Sequence, residues 1–558
     1  MSVERTVFRR KLAQLNIWTL IVLIALAVVA VLLLNPLANV FVASFIDRKD
    51  GSFTLANYAL ILGHKYYRAT IFNSLIAGFG GMSGALLLGV PLAFLTSRFE
   101  IKGRPVIATL AVLALVSPPF IGAYSWIMML GANGWLRLLL ADVGIHPPSV
   151  FGLFGILLVF CLKFYPFVFL LTASALTSVN RSIEDAGENL GCGPYRKFFK
   201  VTLPLVLPGM SAGALLAFVL SLADFGTPQI IGGDFRVLSV EAYNLFTSEI
   251  AGNPSLASTV SIILIALSLT FFALQRYMVN RRSFAGSLIN KPEVKPLEGI
   301  KSIAAHGICY GIVLLSSLPS VVVIYMSFRK TRGPVFHPGF SLDSYARVIS
   351  EVLHVITNSF VFSITAVVLI VTLGSLVGYI VARRRSGVSG FLDSVLMVPY
   401  IVPGVALGIG FIVSFNKPPV SLLGTGLIII LVIFIRRLPY AVRSSAAILK
   451  QININVEEAA ISLGAPPGRA FLKVTLPLMI PGIVAGALMA FVTAINELSS
   501  SIILYVGGTM TMPVRIYLSV LDGAFGTASA LSTILLVATG IAVYAVFRIS
   551  GAKERAFV

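Results

Sequence analysis

Charged residues inside apolar segments are the side chains of this sequence best suited to act on a solute. Lys163 and Arg436 lie 273 residues apart, each three residues before a proline, and Asp224 and Glu497 have the same separation. A charge inside a membrane is costly unless it lines water or meets a partner. Three interpretations remain open: ion pairing between neighbouring segments, a polar lining or outer gate of a translocation path, and, for Arg437, extension of the side chain to the membrane surface.

The sequence lacks the pattern of a catalytic or metal centre. No Cys or carboxylate accompanies the histidines at ligand spacing, and the cysteines stand apart; these residues are His64, His146, His306, His337, His354, Cys161, Cys192 and Cys309. A nucleotide-binding loop of the form G-x-x-x-x-G-K-[ST] is also absent from the sequence. We therefore expect no enzymatic activity, cofactor or metal in this chain.

A polar segment that occurs twice is the second candidate site. The stretches "EDAGENLGCGPYRKFFKVTLPLVLPG" (184–209) and "EEAAISLGAPPGRAFLKVTLPLMIPG" (457–482) share acids, small residues, a glycine, two cations and a Leu-Pro step. Duplication alone would not keep these segments more alike than the rest of the two halves. The candidate residues are Glu184, Asp185, Ala186, Gly187, Gly191 and Arg196 in the first copy, and Glu457, Glu458, Ala459, Ala460, Gly464 and Arg469 in the second.

Each copy has the composition of a short helix to which another protein could bind. In the second copy the sequence predicts a helix over 456–463, with acids in its first turn and an end at Gly464. Small residues let a partner approach the backbone closely, and the glycine lets the helix take its own angle. The sequence therefore predicts a docking helix in each half.

Composition places these features in a membrane protein. Of 558 residues, 57% are hydrophobic and only 11% are charged, about half of what a soluble globular protein carries. The net charge of +20 does not indicate nucleic-acid binding, because the cations are scattered between apolar segments rather than gathered on one face.

The apolar runs predict an all-α integral membrane protein with twelve transmembrane helices. A helix of about 20 apolar residues crosses the hydrocarbon core. The repeat predicts two parallel homologous six-helix modules, 1–280 and 302–558, with a cytoplasmic linker at 281–301 and docking loops at about 177–203 and 448–476. The first span is expected to remain as an uncleaved anchor. The predicted spans are 17–45, 70–96, 105–130, 150–176, 204–225, 256–275, 302–328, 357–382, 391–415, 421–442, 477–502 and 526–547.

The distribution of cations predicts the orientation. Lys and Arg are more frequent in the segments on the side of the N-terminus, so both termini and both docking loops are expected in the cytoplasm. The runs "IDRKD" and "SFRKTR" place cations on the opposite, external side against this trend.

The repeated segment resembles the "EAA" loop of permeases of binding-protein-dependent ABC importers. Glu457, Ala459, Ala460 and Gly464 match its glutamate, small pair and later glycine, and the first copy matches with Gly187 in place of the second alanine. The fused halves and the "DFGTP" stretch at 224–228 further resemble the ferric-iron permease group.

This resemblance implies a type I ABC importer permease in the bacterial inner membrane. In that family the EAA loops are coupling helices seated on a homodimer of separate ATPase subunits, which bind ATP and Mg²⁺. An external solute-binding protein delivers the solute, and the loops 226–255 and 503–525 are the candidates for its docking. Alternative solutes are thiamine, phosphonates, sugar phosphates and polyamines. An alternative class is a secondary transporter of 6+6 spans driven by an ion gradient.

Overall fold

The computed structural model describes residues 17–47, 50–248, 252–281, 294–384, 386–418 and 420–549, which are mostly helical. The helices of the first half are α1 (Ile17–Val29), α2 (Asn35–Ser44), α3 (Ala56–Gly63), α4 (Lys65–Arg98), α5 (Arg104–Val116), α6 (Pro119–Leu130), α7 (Trp135–Asp142), α8 (Leu153–Thr177), α9 (Arg181–Asn189), α10 (Pro194–Lys197), α11 (Leu203–Ala223), α12 (Gly226–Ile231), α13 (Leu238–Thr247) and α14 (Pro254–Arg281).

The second half repeats this order with two short hairpins added. Its helices are α15 (Gly299–Ser327), α16 (Asp343–Arg383), α17 (Gly387–Val395), α18 (Val398–Ile401), α19 (Gly404–Phe415), α20 (Gly426–Gln451), α21 (Asn455–Ser462), α22 (Pro467–Ala470), α23 (Leu476–Ile495), α24 (Ser501–Leu504), α25 (Met512–Leu521) and α26 (Phe525–Ile549). Antiparallel hairpins pair β1 (Arg329–Arg332) with β2 (Val335–Phe340) and β3 (Asn416–Lys417) with β4 (Val420–Ser421). Single π-helical turns are Ala30–Leu34, Phe198–Thr202 and Phe471–Thr475, and a 3₁₀ turn is Gly507–Thr509.

Nine helices in the described part of the chain are long and apolar enough to cross a membrane, and two bent helix pairs raise the number to eleven. α20 lies where the tenth span was predicted, but three arginines within its 26 residues lower its apolar character. The predicted total of twelve is therefore not confirmed. The nine are Ile17–Ser44, Lys65–Arg98, Leu153–Thr177, Tyr195–Ala223, Pro254–Met278, Gly299–Ser327, Asp343–Arg383, Pro467–Ile495 and Phe525–Val546.

The third predicted span of each half, at 105–130 and at 391–415, is not one continuous helix but a bent pair of helices. α5 and α6 meet at 97°, and the helices on either side of Val402 meet at 106°. In both places a proline follows the break, and the residue before it is extended, with ψ of 132° at Ser117 and 124° at Val402. A residue before proline avoids the helical region, which explains the turn.

Corresponding helices pack alike in the two halves. α4, α8 and α11 form the centre of the first half, and α16, α20 and α23 form the centre of the second. Glycines allow the close approach: a methyl group added at Gly89 of α4 would lie 2.8 Å from the Tyr165 carbonyl oxygen, and one at Gly378 of α16 would lie 2.9 Å from the Val442 carbonyl oxygen.

The first span of each half also packs against the other half. α2 contacts α19, while α15 contacts α5 and α6. The halves are therefore interlocked, and the module boundaries at 280 and 302 remain predictions. Residues 282–293 of the predicted linker and both chain ends, 1–16 and 550–558, lie outside the described residues. In the described part of the predicted linker, Lys295 pairs with Phe99 through a parallel β-bridge.

Candidate coupling helices and intramembrane charge sites

The first predicted docking segment forms the short helix α9. Its start is capped by Asn180, whose side chain accepts a hydrogen bond from the Ser182 amide at 2.9 Å. At its end Gly191 has φ of +79°, and the amide of Cys192 donates to the carbonyl of Gly187 at 3.0 Å. This is the Schellman arrangement, in which a left-handed glycine closes the helix and redirects the chain.

The second docking segment forms the equivalent helix α21. It spans Asn455–Ser462, one residue earlier than the predicted 456–463. Gly464 has φ of +90°, and the amide of Ala465 donates to the carbonyl of Ala460 at 3.1 Å. Both predicted glycine breaks therefore exist, and each separates the short helix from the following membrane-entering segment.

The glutamate of the first copy points into the protein. Both carboxylate oxygens of Glu184 accept hydrogen bonds from the Arg98 guanidinium, each at 2.8 Å. The hydroxyl of Thr202 also donates to Glu184, at 2.7 Å. A bidentate pair of an arginine and a carboxylate is strong and directional. Glu184 therefore fastens α9 to the end of α4 and to the base of the following span.

The glutamate of the second copy makes the same connection with a different partner. Glu457 accepts hydrogen bonds from the hydroxyl of Tyr379 and, at 2.9 Å, from that of Thr475. The guanidinium of Arg383 donates instead to the backbone carbonyl of Ile452 at 2.6 Å. In both halves, the motif glutamate joins the short helix to the end of the second span and to the base of the fifth.

The opposite faces of α9 and α21 are exposed. Leu190 and Leu463, which directly follow the two helices and were not among the predicted docking residues, are 85% and 89% exposed. The exposed candidates are Asp185, Ala186, Gly191, Arg196, Glu458, Ala459, Gly464 and Arg469, whereas Gly187 is buried and Ala460 is half-buried. The two glutamates and Gly187 thus lie away from the surface to which sequence reasoning assigned them. The sequence feature that could have indicated this inward orientation is the threonine repeated at 202 and 475, because each threonine donates to the glutamate of its half.

The exposed face of α9 carries its own ion pairs. Glu188 accepts a hydrogen bond from Lys197 at 2.7 Å, which lowers the pKa of the glutamate. Arg181 lies 3.5 Å from Asp185, one helical turn away. Surface pairs of this kind contribute little to stability. They leave the apolar side chains of Ile183 and Leu190 exposed between them.

The charged residues of the second half form one buried cluster. Arg436 and Arg437 each donate to a different carboxylate oxygen of Glu497, which is 4% exposed. The amide and hydroxyl of Ser500 also donate to Glu497, at 3.1 and 2.9 Å. The ion-pair interpretation therefore describes this half, and the interpretation that Arg437 extends to the membrane surface was wrong.

The equivalent residues of the first half do not form a direct pair. Lys163 donates to three backbone carbonyls where α5 ends, including that of Ala114 at 2.9 Å. Asp224 accepts from the amide of Thr227 at 2.9 Å and so caps α12. Glu497 and Ser500 make the same capping contact, three residues apart. Capping is therefore the role that the two acids share.

The short helices beyond these acids bring the two halves together. A methyl group added at Gly226, in α12, would lie 2.9 Å from Phe120 and 3.0 Å from Leu498 of the second half. The ring of Phe225 lies 6.0 Å from that of Tyr517. The segment of 224–228 thus packs tightly against its counterpart. Among the described residues, no group of three or more His, Cys, Asp or Glu could hold a metal ion.

Comparison with known proteins gives a family and two informative relatives. The profile of the family described as "Binding-protein-dependent transport system inner membrane component" matches residues 85–284 and 370–553. The ferric transport system permease protein FbpB of Actinobacillus pleuropneumoniae is 28% identical over 517 residues, covering 90% of this chain and 74% of that protein. The Fe(3+)-transport system permease protein FbpB 2 of Haemophilus influenzae is 24% identical over 465 residues, covering 83% and 86%.

A solved structure also resembles part of the chain. It is the crystal structure of a bacterial alginate ABC transporter in complex with an alginate pentasaccharide-bound periplasmic protein. The TM-score is 0.38 at 15% identity, and the match covers 48% of this chain and 94% of the other.

Proposed function

Since the chain belongs to the family of binding-protein-dependent transport system inner membrane components, whose profile it matches twice, we propose that it is the permease of an ATP-driven importer of ferric iron. Two relatives named as ferric or Fe(3+) transport permeases each align with more than four fifths of the chain and support this cargo. The proposal covers a multi-pass inner-membrane protein with both termini in the cytoplasm.

The paired helices α9 and α21 carry the proposal. Each is fastened to two membrane-spanning helices through its glutamate and presents an exposed apolar side chain, Leu190 or Leu463, on the other side. A helix held in this way moves as one body with its spans. An ATPase subunit that gripped the exposed face would therefore move the spans rather than detach the helix.

Transport then follows as alternating access. An external binding protein delivers ferric iron at the face formed by the loops 226–255 and 503–525. Nucleotide closure of a separate ATPase pair draws α9 and α21 together, and the contact of Gly226 with Leu498 opens outward; hydrolysis restores it. The sequence contains no nucleotide-binding loop of its own, so ATP and Mg²⁺ are expected on the ATPase subunits.

Reconstitution tests the cargo. The permease, ATPase and binding protein would be placed in liposomes, and uptake of radioactive iron would be compared with uptake of labelled spermidine and phosphonate. Iron should stimulate ATP hydrolysis and accumulate inside the vesicles. Stimulation by another solute without iron uptake would reject ferric iron while retaining the importer.

Cysteine crosslinking tests the coupling contact. The background variant carries Cys192→Ser, because Cys192 lies just beyond α9 and would react itself. Ala186→Cys and Ala459→Cys should each crosslink to a cysteine in the groove of the ATPase. Gly540→Cys, in α26 with open space around it, is the matched control and should give no product. Equal products from all three positions would contradict the proposal.

A further inference from the structure

An apolar groove of about 880 Å³ lies between α16, α23 and α26 in the second half. Phe360, Phe491 and Ala542 are among its lining residues, and Val537 and Ile541 are more than half exposed at its opening. A wall so poor in polar groups cannot replace the hydration of an ion. The groove is therefore unsuited to the transported cargo and suited to a hydrocarbon chain.

The corresponding place in the first half is filled. Phe218 of α11 packs against Phe271 of α14 with ring centres 4.1 Å apart, and against Phe79 of α4 at 4.8 Å. Phe491 corresponds to Phe218 in the repeat. When "LASTVSII" of α14 is aligned with "TASALSTI" of α26, Ala542 takes the position of Phe271. The groove thus exists where the second half lacks an aromatic side chain.

The groove matches one leaflet of a bilayer in length. Its lining residues on α26 extend from Thr533 to Ala545, about 18 Å at the rise of an α-helix. One leaflet of the hydrocarbon core is about 15 Å thick. Because lipid chains are already in an apolar medium, the groove alone gives little preference for one lipid over another. Selectivity must come from the head group.

Cations stand at the end of the groove that would receive this head group. Phe328 lines the groove and is followed directly by Arg329, Lys330 and Arg332 of β1. Lys330 and Arg332 are exposed, and none of the three forms a salt bridge within the described ranges. This is the "SFRKTR" run, which departs from the expected distribution of cations. The coupling proposal leaves these charges unexplained.

Arg347 adds a second unsatisfied group beside the hairpin. Its guanidinium donates to the hydroxyl of Thr331 in β1 at 2.8 Å, which holds the strand near the start of α16. Its buried Nε atom has no hydrogen-bond partner within the described residues. A phosphate seated over the hairpin would accept hydrogen bonds from the exposed Lys330 and Arg332 on the same strand.

We propose that this groove binds an acyl chain of an anionic phospholipid from the leaflet on the side of the hairpin, with its phosphate held by Lys330 and Arg332. The site belongs to the second half alone, because Phe271 closes the equivalent place in the first. It does not depend on which solute the permease carries.

Photolabelling tests the site in the full permease bound to its ATPase subunits. The complex would be placed in phosphatidylcholine nanodiscs containing a phosphatidylglycerol probe with a diazirine near the end of one acyl chain. Peptide mapping should find label on α26 and α16. A phosphatidylcholine probe with the same chain should label these helices much less. Equal labelling by the two probes would overturn the proposal, as would label absent from these helices.

Two variants separate the groove from the head-group contact. Ala542→Phe restores the side chain of the first half and should abolish the labelling, whereas Val361→Phe, at an exposed position of α16 outside the groove lining, should leave it unchanged. Lys330→Gln with Arg332→Gln should weaken phosphatidylglycerol binding by about fivefold for each cation lost.

Retained ATPase stimulation in each variant shows that the fold is intact. Equal labelling of the Ala542→Phe and Val361→Phe proteins would overturn the proposal. Loss of label in both would also do so, because it would show no dependence on the groove.

Discussion

Asn496, in the second half, donates a hydrogen bond from its side-chain amide to the backbone carbonyl of Val116, in the first half, over 3.2 Å. Lys163 donates to the carbonyls of Ala114, Leu115 and Ser117, which lie on either side of Val116 in the chain. The last carbonyls of a helix have no partner within it and need donors from elsewhere. Two side chains, one from each half, thus satisfy four successive carbonyls where α5 ends and the chain turns into α6.

Replacing Lys163 with methionine should destabilise this turn. The variant retains an apolar side chain of similar reach but no donor, and a buried polar group without a partner costs about 1–3 kcal/mol. Thermal unfolding of the purified permease should therefore begin at a lower temperature. Lys163→Arg, which keeps several donors, should unfold close to the original protein. An unchanged transition in the methionine variant would show that water supplies the missing donors.

Neutralising the two matched acids should have unequal effects. Glu497→Gln leaves Arg436 and Arg437 buried without a full countercharge, and breaking a buried pair on one side costs about 3–5 kcal/mol. We expect a large loss of folded permease, measured by size-exclusion chromatography after membrane extraction. Asp224→Asn should retain the fold, because Asp224 acts chiefly as a cap.

Transport by the Asp224→Asn protein then separates capping from contact with the solute. A cap replaced by asparagine keeps its acceptor, so uptake should stay near the original level. If uptake is lost while the folded yield is unchanged, Asp224 lines the translocation path. Equal folded yields of the two variants would contradict the difference seen between the halves.

The sequence predicted the helices and their ends better than the directions of the helices and the contacts between them. Both docking helices and their glycine ends could be predicted, because acids, small residues and Gly191 or Gly464 act locally. The helix breaks before Pro118 and Pro403 were missed, because the apolar runs continue across them. Hydropathy carries no information on the direction in which a helix runs. The inward orientation of Glu184 was missed for a related reason: its partner Arg98 is distant in sequence.

The pairing of charges shows the same limit. The repeat predicted that Lys163 and Arg436 occupy equivalent places, and both do contact the broken third span of their half. Their partners differ, because Arg436 has a second arginine beside it and meets Glu497, whereas Lys163 reaches the end of α5. A repeat in sequence reports common ancestry, while packing decides which donor reaches which acceptor.

Glu184→Gln should uncouple ATP hydrolysis from transport. The substitution weakens the double hydrogen bond with Arg98, and hydrogen bonds to charged groups are worth about 1.5–3 kcal/mol. The attached state of α9 should become at least about tenfold less favoured, since 1.4 kcal/mol corresponds to a factor of ten. We expect ATP hydrolysis to continue while solute uptake per ATP falls.

The neighbouring acid on the same helix provides the control. Glu188→Gln removes an exposed pair with Lys197 and should leave the ratio of uptake to hydrolysis unchanged. If both variants lower this ratio equally, negative charge on α9 matters for docking and attachment through Arg98 does not.

Gly464→Ala should weaken the docking of α21. The space around Gly464 is open, so the added methyl group meets no neighbour, but φ of +90° is unfavourable for an L-residue with a Cβ atom. We expect a cost of about 1–2 kcal/mol, the penalty for a left-handed residue, as weaker binding of the ATPase in a titration. Gly468→Ala is the matched control, because it also has open space but lies in α22 without positive φ. Equal affinity of the two variants would show that the left-handed turn at the end of α21 is not needed to present the helix.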